Sequence, residues 1–243
     1  FEGTQMEISK NPNVDFILWP ENSVDVDPFL NSDVKKSLDS IKQPLIIGAI
    51  VNKGNRLLNT SILWGGELPE TYIKQHLTPF GEYIPLRSLA RVVSPLVDEV
   101  EDFSPGDSGK TFEIGTIKVA PVICYELIDD ALLEKAAKNS NILAVQTNSA
   151  TFGMSAESAQ QLSITRIRAI EHGRNIASVS TTGYSAIIDS SGKVLQKTSM
   201  GAADSIRASV DLIEGQTPRD RAGDWALIGV LAALFLVARR AYI

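Results

Sequence analysis

The sequence has few of the residues that build metal sites and disulfides. Its 243 residues include one cysteine and two histidines, so the chain can form no internal disulfide and offers little for a zinc site. An excess of positive charge is missing as well, because the formal net charge is −6 and no cluster of lysines and arginines occurs. That balance argues against a nucleic-acid partner. We therefore predict a protein that works without a metal, a cofactor or a nucleic acid.

A starting methionine and a signal peptide are missing too. The chain begins at Phe1, and its first residues do not have the pattern of a secretory signal. We therefore expect a fragment or processed piece that lacks an N-terminal element. Hydrophobic residues make up 44% and charged residues 21% of the sequence, which is typical of a folded chain and not of a disordered one.

One stretch has the pattern of a strand buried in the middle of an α/β sheet. Residues 117–126, IKVAPVICYE, form a short apolar run that stops at Cys124. A helical pattern follows at 127–139, so the cysteine lies at a strand-to-helix turn. Backbone N–H groups at a helix start favour negative charge, and a thiol there is more easily ionised to the nucleophilic thiolate. A lone cysteine in an apolar strand is more often a small buried hydrophobe, so its role depends on other residues.

Two charged side chains also follow predicted strands. The apolar run at 14–19 is closed by Pro20, which cannot donate to a ladder and places Glu21 at the strand end. The predicted strand at 70–75 carries Lys74 among apolar neighbours. Glutamates and lysines are ordinarily solvated surface charges. A partly buried lysine, however, needs a carboxylate partner, and Glu21 or Glu82 could serve.

The remaining pattern indicates strands that alternate with helices, as in a layered α/β domain. Further strands are predicted at 44–51, 57–63, 141–146, 175–181, 184–189, 194–197 and 205–211, and further helices at 33–41 and 155–172. The segment 83–106 is apolar in patches but is broken by prolines. We predict that it forms an arm near the mouth of an active site, with packed surface as the alternative.

The chain ends in an uncharged run at 225–238. At about 1.5 Å per residue this run is short for a hydrocarbon core of roughly 30 Å, so its length alone favours a buried helix. The run has no polar face, however, and Trp225 and Tyr242 bracket it like interfacial aromatic residues. We therefore predict a catalytic domain at 1–222 and a transmembrane helix at 223–243.

Glu21, Lys74 and Cys124 together supply the chemistry of acyl transfer. The thiol is the nucleophile, the carboxylate moves its proton, and the cation stabilises the oxyanion. This set resembles the nitrilase, or carbon–nitrogen hydrolase, superfamily. The motifs that contain these residues resemble its apolipoprotein N-acyltransferase branch: WPEN, YIKQHLTPFGEYIPLR and VICYE, with TNSATFG, RIRAIEHGRN and the terminal apolar helix in support.

The resemblance implies a nitrilase-like α-β-β-α sandwich with a C-terminal transmembrane helix. It also implies a multi-pass protein of the bacterial inner membrane, with the catalytic domain on the extracytoplasmic side. Cys124 would take an acyl group from a phospholipid as a thioester. The α-amine of the diacylglyceryl-cysteine of an apolipoprotein would then accept the acyl group. Glu21 would move the proton, and Lys74 with the backbone N–H of Tyr125 would bind the oxyanion.

The resemblance extends to supporting residues. Glu82 would hold the lysine, Glu126 would support the site, and Asn148 opens a loop beside it. The family often has Asp and Trp in that loop where this chain has Ser149 and Thr151, a difference that bears on substrate contacts. A lone thiol on the oxidising side of a membrane agrees with a reactive role.

Two alternatives differ in class from the acyltransferase. The first is a soluble amidase or carbamoylase of the same superfamily, which would use the same three residues to hydrolyse a C–N bond. The apolar arm and terminal helix count against it. The second is an inactive binding module on this fold, which would not need all three residues.

Overall fold

The computed structural model describes residues 2–10, 12–93, 97, 101–223 and 225–241. The first part of the chain forms α1 (Glu2–Lys10), β1 (Ile17–Leu18), α2 (Ser32–Asp39), β2 (Leu45–Lys53), β3 (Arg56–Trp64), β4 (Glu70–Ile73) and α3 (Arg87–Val93). The second part forms β5 (Phe112–Ile114), β6 (Ile117–Ile123), α4 (Asp130–Lys138), β7 (Ile142–Thr147), α5 (Glu157–His172), β8 (Asn175–Ser180), β9 (Ala186–Ile188), β10 (Val194–Lys197), α6 (Pro218–Ala222) and α7 (Trp225–Ala241). Short 3-10 helices lie at Cys124–Ile128 and Ala150–Phe152.

The strands form two sheets, one from each part of the chain. The first sheet has four strands in the order β1-β2-β3-β4, with β1 parallel to β2 and the other neighbours antiparallel. The second sheet has six strands in the order β10-β9-β8-β7-β6-β5. Its centre, β6-β7-β8, is parallel, and its outer pairs are antiparallel. Parallel strands need crossover connections, which α4 and α5 provide here.

The two sheets pack face to face. Ile46 and Leu63 of the first sheet share a buried apolar cluster with Val119 and Ile123 of β6. The alternate positions of β6, including Val122, face the opposite way and pack with α4 and α5. Because both faces are covered from Val119 onward, that part of β6 is an apolar run without alternation, as the sequence predicts.

Helices cover the outer face of each sheet. Leu38 of α2 and Ile8 of α1 pack on the first sheet, while Leu133 of α4 and Ala169 of α5 pack on the second. The layers therefore run helix, sheet, sheet, helix. This arrangement confirms the α/β class and the α-β-β-α sandwich.

Several element predictions need correction. The predicted strand at 205–211 is wrong, because these residues lie outside regular secondary structure. Their backbone is held by side chains instead of by a ladder: Asn175 Nδ2 donates to the carbonyl of Asp211 at 2.6 Å. The first predicted strand, 14–19, shrinks to Ile17–Leu18 because only those two residues pair with β2.

The predicted arm at 83–106 is partly described. It contains α3, on which Leu89 and Val92 are 62% and 87% exposed. Residues 94–96 and 98–100, which the arm prediction also includes, lie outside the described residues. The described part therefore presents apolar side chains to solvent.

The last helix, α7, has no apolar partner over much of its length. Trp225, Leu234 and Phe235 are each at least 60% exposed. By length and hydropathy, none of the helices in the described ranges reaches what a membrane crossing requires.

Candidate active site

Three reactive side chains lie together where strands of the two sheets end. Glu21 follows β1, Lys74 follows β4, and Cys124 follows β6. The Nζ of Lys74 lies 3.2 Å from Oε1 of Glu21, and both side chains are buried. The Cys124 thiol lies close enough to Glu21 and Lys74 for both charges to act on its pKa. The structure thus brings the three sequence-predicted residues into one cluster.

Glu21 is placed by a close approach between two strands. A Cβ at Gly48 of β2 would lie 2.3 Å from the carbonyl oxygen of Pro20 and 2.6 Å from the Cα of Glu21. Only a residue without a side chain lets the turn after β1 lie directly on β2. The turn continues through Asn22 with φ of 51°, a left-handed conformation that asparagine tolerates better than most residues. The Glu21 side chain is thereby directed into the protein.

Lys74 is buried between two carboxylates. Its Nζ lies 2.7 Å from Oε2 of Glu82 in addition to its contact with Glu21. Asn59 of β3 bridges the same two carboxylates. Its Nδ2 donates to Glu21 at 2.7 Å and to Glu82 at 2.5 Å. Glu82 also accepts from the backbone N–H of Thr78 at 2.7 Å.

The charges of Lys74 and Glu82 stabilise each other. Burial by itself lowers the pKa of Lys74, but the carboxylates of Glu21 and Glu82 outweigh burial and hold that pKa above its ordinary value. Burial by itself raises the pKa of Glu82, and Lys74 and Asn59 reverse that effect, so the pKa lies below its ordinary value. Lys74 is therefore a fixed cation at neutral pH.

Cys124 begins the 3-10 helix with φ of 49°. A residue other than glycine in this left-handed region is strained, and such strain occurs often at functional sites. Burial, followed by the charge of Glu21, raises the pKa of the thiol to about 12. Lys74 and the backbone N–H of Asn148 oppose that rise without overcoming it.

The thiol is therefore protonated at rest, which corrects one expectation from the sequence. The helix-start position at Cys124 predicts an easily ionised thiol, but burial and the neighbouring carboxylate have the larger effect on its pKa. A nucleophile of this kind needs a base within reach to become a thiolate. Glu21 is the carboxylate in that position.

Glu126 connects the ends of β4 and β6. Its buried carboxylate accepts from the backbone N–H of Gln75, next to Lys74, and from that of Ile123, next to the cysteine, each at 2.7 Å. The hydroxyl of Tyr72 donates to the same carboxylate at 2.7 Å. Burial raises the pKa of Glu126 despite these donors. One side chain thus fixes the separation of two strand ends that belong to different sheets.

Tyr125 and Asn148 lie beside the cluster in different ways. Tyr125 follows the cysteine in the 3-10 helix, and its ring packs edge-to-face with His76 at 5.2 Å. The side chain of Asn148 turns away, because its Oδ1 accepts from Ala150 N and Thr181 Oγ1. The contribution of Asn148 at the sulfur comes from its backbone N–H.

Two residues near the cluster were missed by sequence reasoning. Asn59 is a lone amide inside the apolar strand RLLNTSILW, which is a signal that a buried polar partner exists. Gln161 of α5 places its Nε2 4.0 Å from the Cys124 sulfur. The sequence does not single out Gln161, because glutamine is common on the polar face of an amphipathic helix.

A cleft of about 700 Å³ lies beyond Glu126, between α4 and the 107–111 loop. Tyr72, Gln75 and His76 line it, but Glu21, Lys74 and Cys124 do not. In the described part of the chain, no three His, Cys, Asp or Glu side chains are grouped so as to hold a metal ion.

Similarity to known proteins covers most of the chain. The carbon-nitrogen hydrolase family model matches residues 6–219. An apolipoprotein N-acyltransferase of Mycolicibacterium smegmatis is 35% identical over 196 residues, which are 75% of this chain and 33% of that protein. An apolipoprotein N-acyltransferase of Pseudomonas paraeruginosa is 30% identical over 236 residues, 93% of this chain and 46% of that protein. The chain thus spans between a third and a half of the length of these curated relatives.

Solved structures share the fold at lower identity. A carbon-nitrogen hydrolase from Helicobacter pylori superposes with a TM-score of 0.63 at 14% identity, over 82% of this chain and 77% of that chain. An amidase of the nitrilase superfamily from Nesterenkonia superposes with a TM-score of 0.61 at 17% identity, over 80% of this chain and 77% of that chain. From the family match and the shared sandwich, we conclude that this chain belongs to the carbon-nitrogen hydrolase family.

Proposed function

We propose that this chain is the catalytic domain of an apolipoprotein N-acyltransferase. The reaction moves a fatty acyl group from a phospholipid to the α-amine of the diacylglyceryl-cysteine of an apolipoprotein. The observation that carries the proposal is the cluster of the buried Glu21 and Lys74 with the half-buried Cys124. It occurs in a chain that matches relatives of that name over 75% to 93% of its length. Glu21, Lys74 and Cys124 are the proposed catalytic residues.

The first half-reaction forms a thioester. Glu21 accepts the proton of Cys124, whose raised pKa makes this transfer necessary. The sulfur attacks the ester carbonyl, and the developing oxyanion is stabilised by Lys74 and the backbone N–H of Tyr125. The ester C–O bond then breaks, and the leaving lysophospholipid alcohol takes its proton from Glu21.

The second half-reaction transfers the acyl group to nitrogen. The acceptor amine attacks the thioester carbonyl and gives a proton to Glu21, so the amide N–C bond forms while the C–S bond breaks. The sulfur leaves with the electron pair and regains a proton from Glu21. Glu82 and Glu126 support both steps, because Glu82 holds Lys74 and Glu126 fixes the two strand ends.

We further propose a site of action at the bacterial inner membrane, with the catalytic domain at 1–222 on the extracytoplasmic side and the membrane helix at 223–243. The exposed apolar side chains of α3 and α7 support this proposal, since water disfavours them. The 17 residues of α7 span about 25 Å. The aliphatic stems of Arg239 and Arg240 and slight thinning of the bilayer extend that reach. A multi-pass full-length protein is part of the same proposal.

Intact-mass measurement of the chain tests this function directly. In detergent micelles with phospholipid alone, the chain should gain the mass of one fatty acyl group, and a diacylglyceryl-cysteine peptide added afterwards should remove it. Cys124→Ala should gain no mass. The chain contains a single cysteine, so a thioester has one possible position.

The amidase alternative gives the opposite pattern. An adduct from a short amide substrate, with none from phospholipid, would replace the acyltransferase by a C–N hydrolase. Phospholipid acylation that persists in Cys124→Ala would reject the proposed nucleophile.

A further inference from the structure

The helix α5 places one more side chain at the sulfur of Cys124, in addition to the charged residues of the cluster. Gln161 lies in α5, which packs on the outer face of the six-stranded sheet. Its Nε2 is 4.0 Å from the Cys124 sulfur, at the outer limit of an N–H···S hydrogen bond. Catalytic hydrogen bonds are often long in unliganded sites and shorten when charge develops. The contact is therefore placed where an anionic sulfur would strengthen it.

The orientation of this amide is set by a row of hydroxyls. The Ser149 hydroxyl donates to Oε1 of Gln161 at 3.5 Å, and Ser180 Oγ donates to Ser149 Oγ at 3.2 Å. The backbone N–H of Gly183 donates to Ser180 Oγ at 3.1 Å. Every donor in the row points the same way, so each bond polarises the next. The amide oxygen faces Ser149, and the NH₂ group faces the sulfur.

The row is packed tightly. Ser149 and Ser180 are buried, and a Cβ at Gly183 would lie 2.7 Å from Ser180 Oγ and 3.0 Å from Ser149 Oγ. A residue with a side chain at 183 would displace the hydroxyls. The bare backbone at Gly183 therefore allows the hydroxyls to stay in line.

We propose that Gln161 is a catalytic hydrogen-bond donor to the Cys124 sulfur in its anionic form. It stabilises the thiolate when the thiol loses its proton to Glu21. It has a second role that rests on the proposed acyltransferase function. When the thioester C–S bond breaks and the electron pair moves to sulfur, Gln161 donates a hydrogen bond to the departing thiolate. The charged groups that face the thiol are Glu21, which disfavours the thiolate, and Lys74, which favours it. A neutral donor adds stabilisation of the anion without altering that balance of charge.

Alkylation of the single cysteine tests the role of Gln161 without any lipid. The rate of modification by iodoacetamide, followed by intact mass, is compared for the unaltered chain, Gln161→Met and Gln161→Glu. Methionine keeps the length but removes the donor, and we expect about tenfold slower alkylation. Glutamate keeps the shape but brings a negative charge to the thiolate, and we expect a larger loss. Gln160→Met is the matched control, because Gln160 is exposed on the same helix and its change should leave the rate unaltered.

The pH dependence separates an electrostatic role from a packing role. The deficit of Gln161→Glu should shrink as the pH falls through the titration of the introduced carboxyl group, near about pH 4 to 5. A deficit of equal size in both variants at every pH, or unaltered rates in Gln161→Met, would overturn the proposal. Melting temperatures confirm that each variant is folded. If Gln161→Met does not fold, the pH dependence of alkylation in Gln161→Glu tests the proposal by itself. Iodoacetamide reacts whether or not the chain acylates lipoproteins, so this test and that of the proposed function fail independently.

Discussion

At the scale of single residues, the protonation state of Cys124 has a consequence for stability. Its pKa in the folded chain, about 12, lies above the ordinary value of 9.0. A group whose pKa is raised by folding contributes stability below its ordinary pKa and loses that contribution as the pH rises toward the folded value. The thiol therefore loses its contribution to stability only at alkaline pH, above the physiological range.

We predict that the unaltered chain loses stability faster than Cys124→Ala between about pH 9 and pH 12. The thiol contributes a slope of at most about 1.4 kcal/mol per pH unit. Urea unfolding at a series of pH values measures the difference in slope, and the comparison cancels the titration of Tyr72, whose pKa does not depend on the thiol. Parallel curves for the two proteins would contradict the raised pKa.

Lys74 is the residue whose loss should reduce both the reaction rate and the free energy of unfolding. Lys74→Ala removes an oxyanion donor, for which about 10²–10³ in rate is typical. It also leaves Glu21 and Glu82 buried without their cation, and a broken buried pair typically destabilises by about 3–5 kcal/mol. Acyl-adduct formation and urea unfolding measure the two effects.

A second lysine provides the control for this prediction. Lys110 pairs with Glu70 at the surface, where an ion pair is worth about 0–1 kcal/mol. Lys110→Ala should therefore change neither measurement appreciably. Equal destabilisation by the two substitutions would show that burial of Lys74 has no energetic weight.

At the scale of elements, Glu126 is predicted to act through strand ends and not on substrate. Glu126→Gln keeps the shape but replaces one acceptor oxygen by a donor that faces backbone N–H groups, so we expect about 2–4 kcal/mol of destabilisation. The rate at which iodoacetamide alkylates Cys124 should change as well. Glu126 accepts from the backbone N–H of Ile123, which is the residue before the cysteine. Tyr72→Phe removes one of the four donors to the Glu126 carboxylate and should cost about 1 kcal/mol. A larger loss in Tyr72→Phe than in Glu126→Gln would contradict this order.

Elements with complete burial could be predicted from the sequence, and elements held by side chains could not. The run at 119–123 is apolar throughout because this part of β6 is covered on both faces. Residues 205–211 have strand-like composition as well, but the groups that hold them, such as Asn175, are distant in the sequence. β5 has three residues, too few to give a period.

The candidate site also contains some residues that local sequence predicts and others that it does not. Glu21, Lys74 and Cys124 each follow a predicted strand, which local pattern can indicate. Asn59 and Gln161 belong to the site only through contacts with Glu21 and Cys124, which lie 38 and 37 residues away in the sequence. The raised pKa of the thiol depends on burial. Neither property is encoded within a local window of sequence.

At the scale of the whole molecule, we predict that the cluster of Glu21, Lys74 and Cys124 does not depend on the terminal helix α7. Deleting residues 224–243 removes the exposed apolar side chains of α7, while Cys124 and its neighbours lie in the sandwich. We predict that the shortened chain remains in solution without detergent and that iodoacetamide modifies it at the rate of the unaltered chain. A changed alkylation rate in a folded, shortened chain would show that α7 supports the site.

The division of the cluster between two sheets has a consequence for the order of folding. Glu21 and Lys74, the proposed base and cation, follow strands of the four-stranded sheet, whereas Cys124, the proposed nucleophile, follows a strand of the six-stranded one. A chain in which each sheet has formed but the two have not docked carries an ordinary thiol with no base beside it. Recovery of activity during refolding therefore marks the docking of the sheets, later than the recovery of secondary structure. A nascent or misfolded chain therefore cannot take up an acyl group prematurely, because its thiol is not activated until the two sheets have docked.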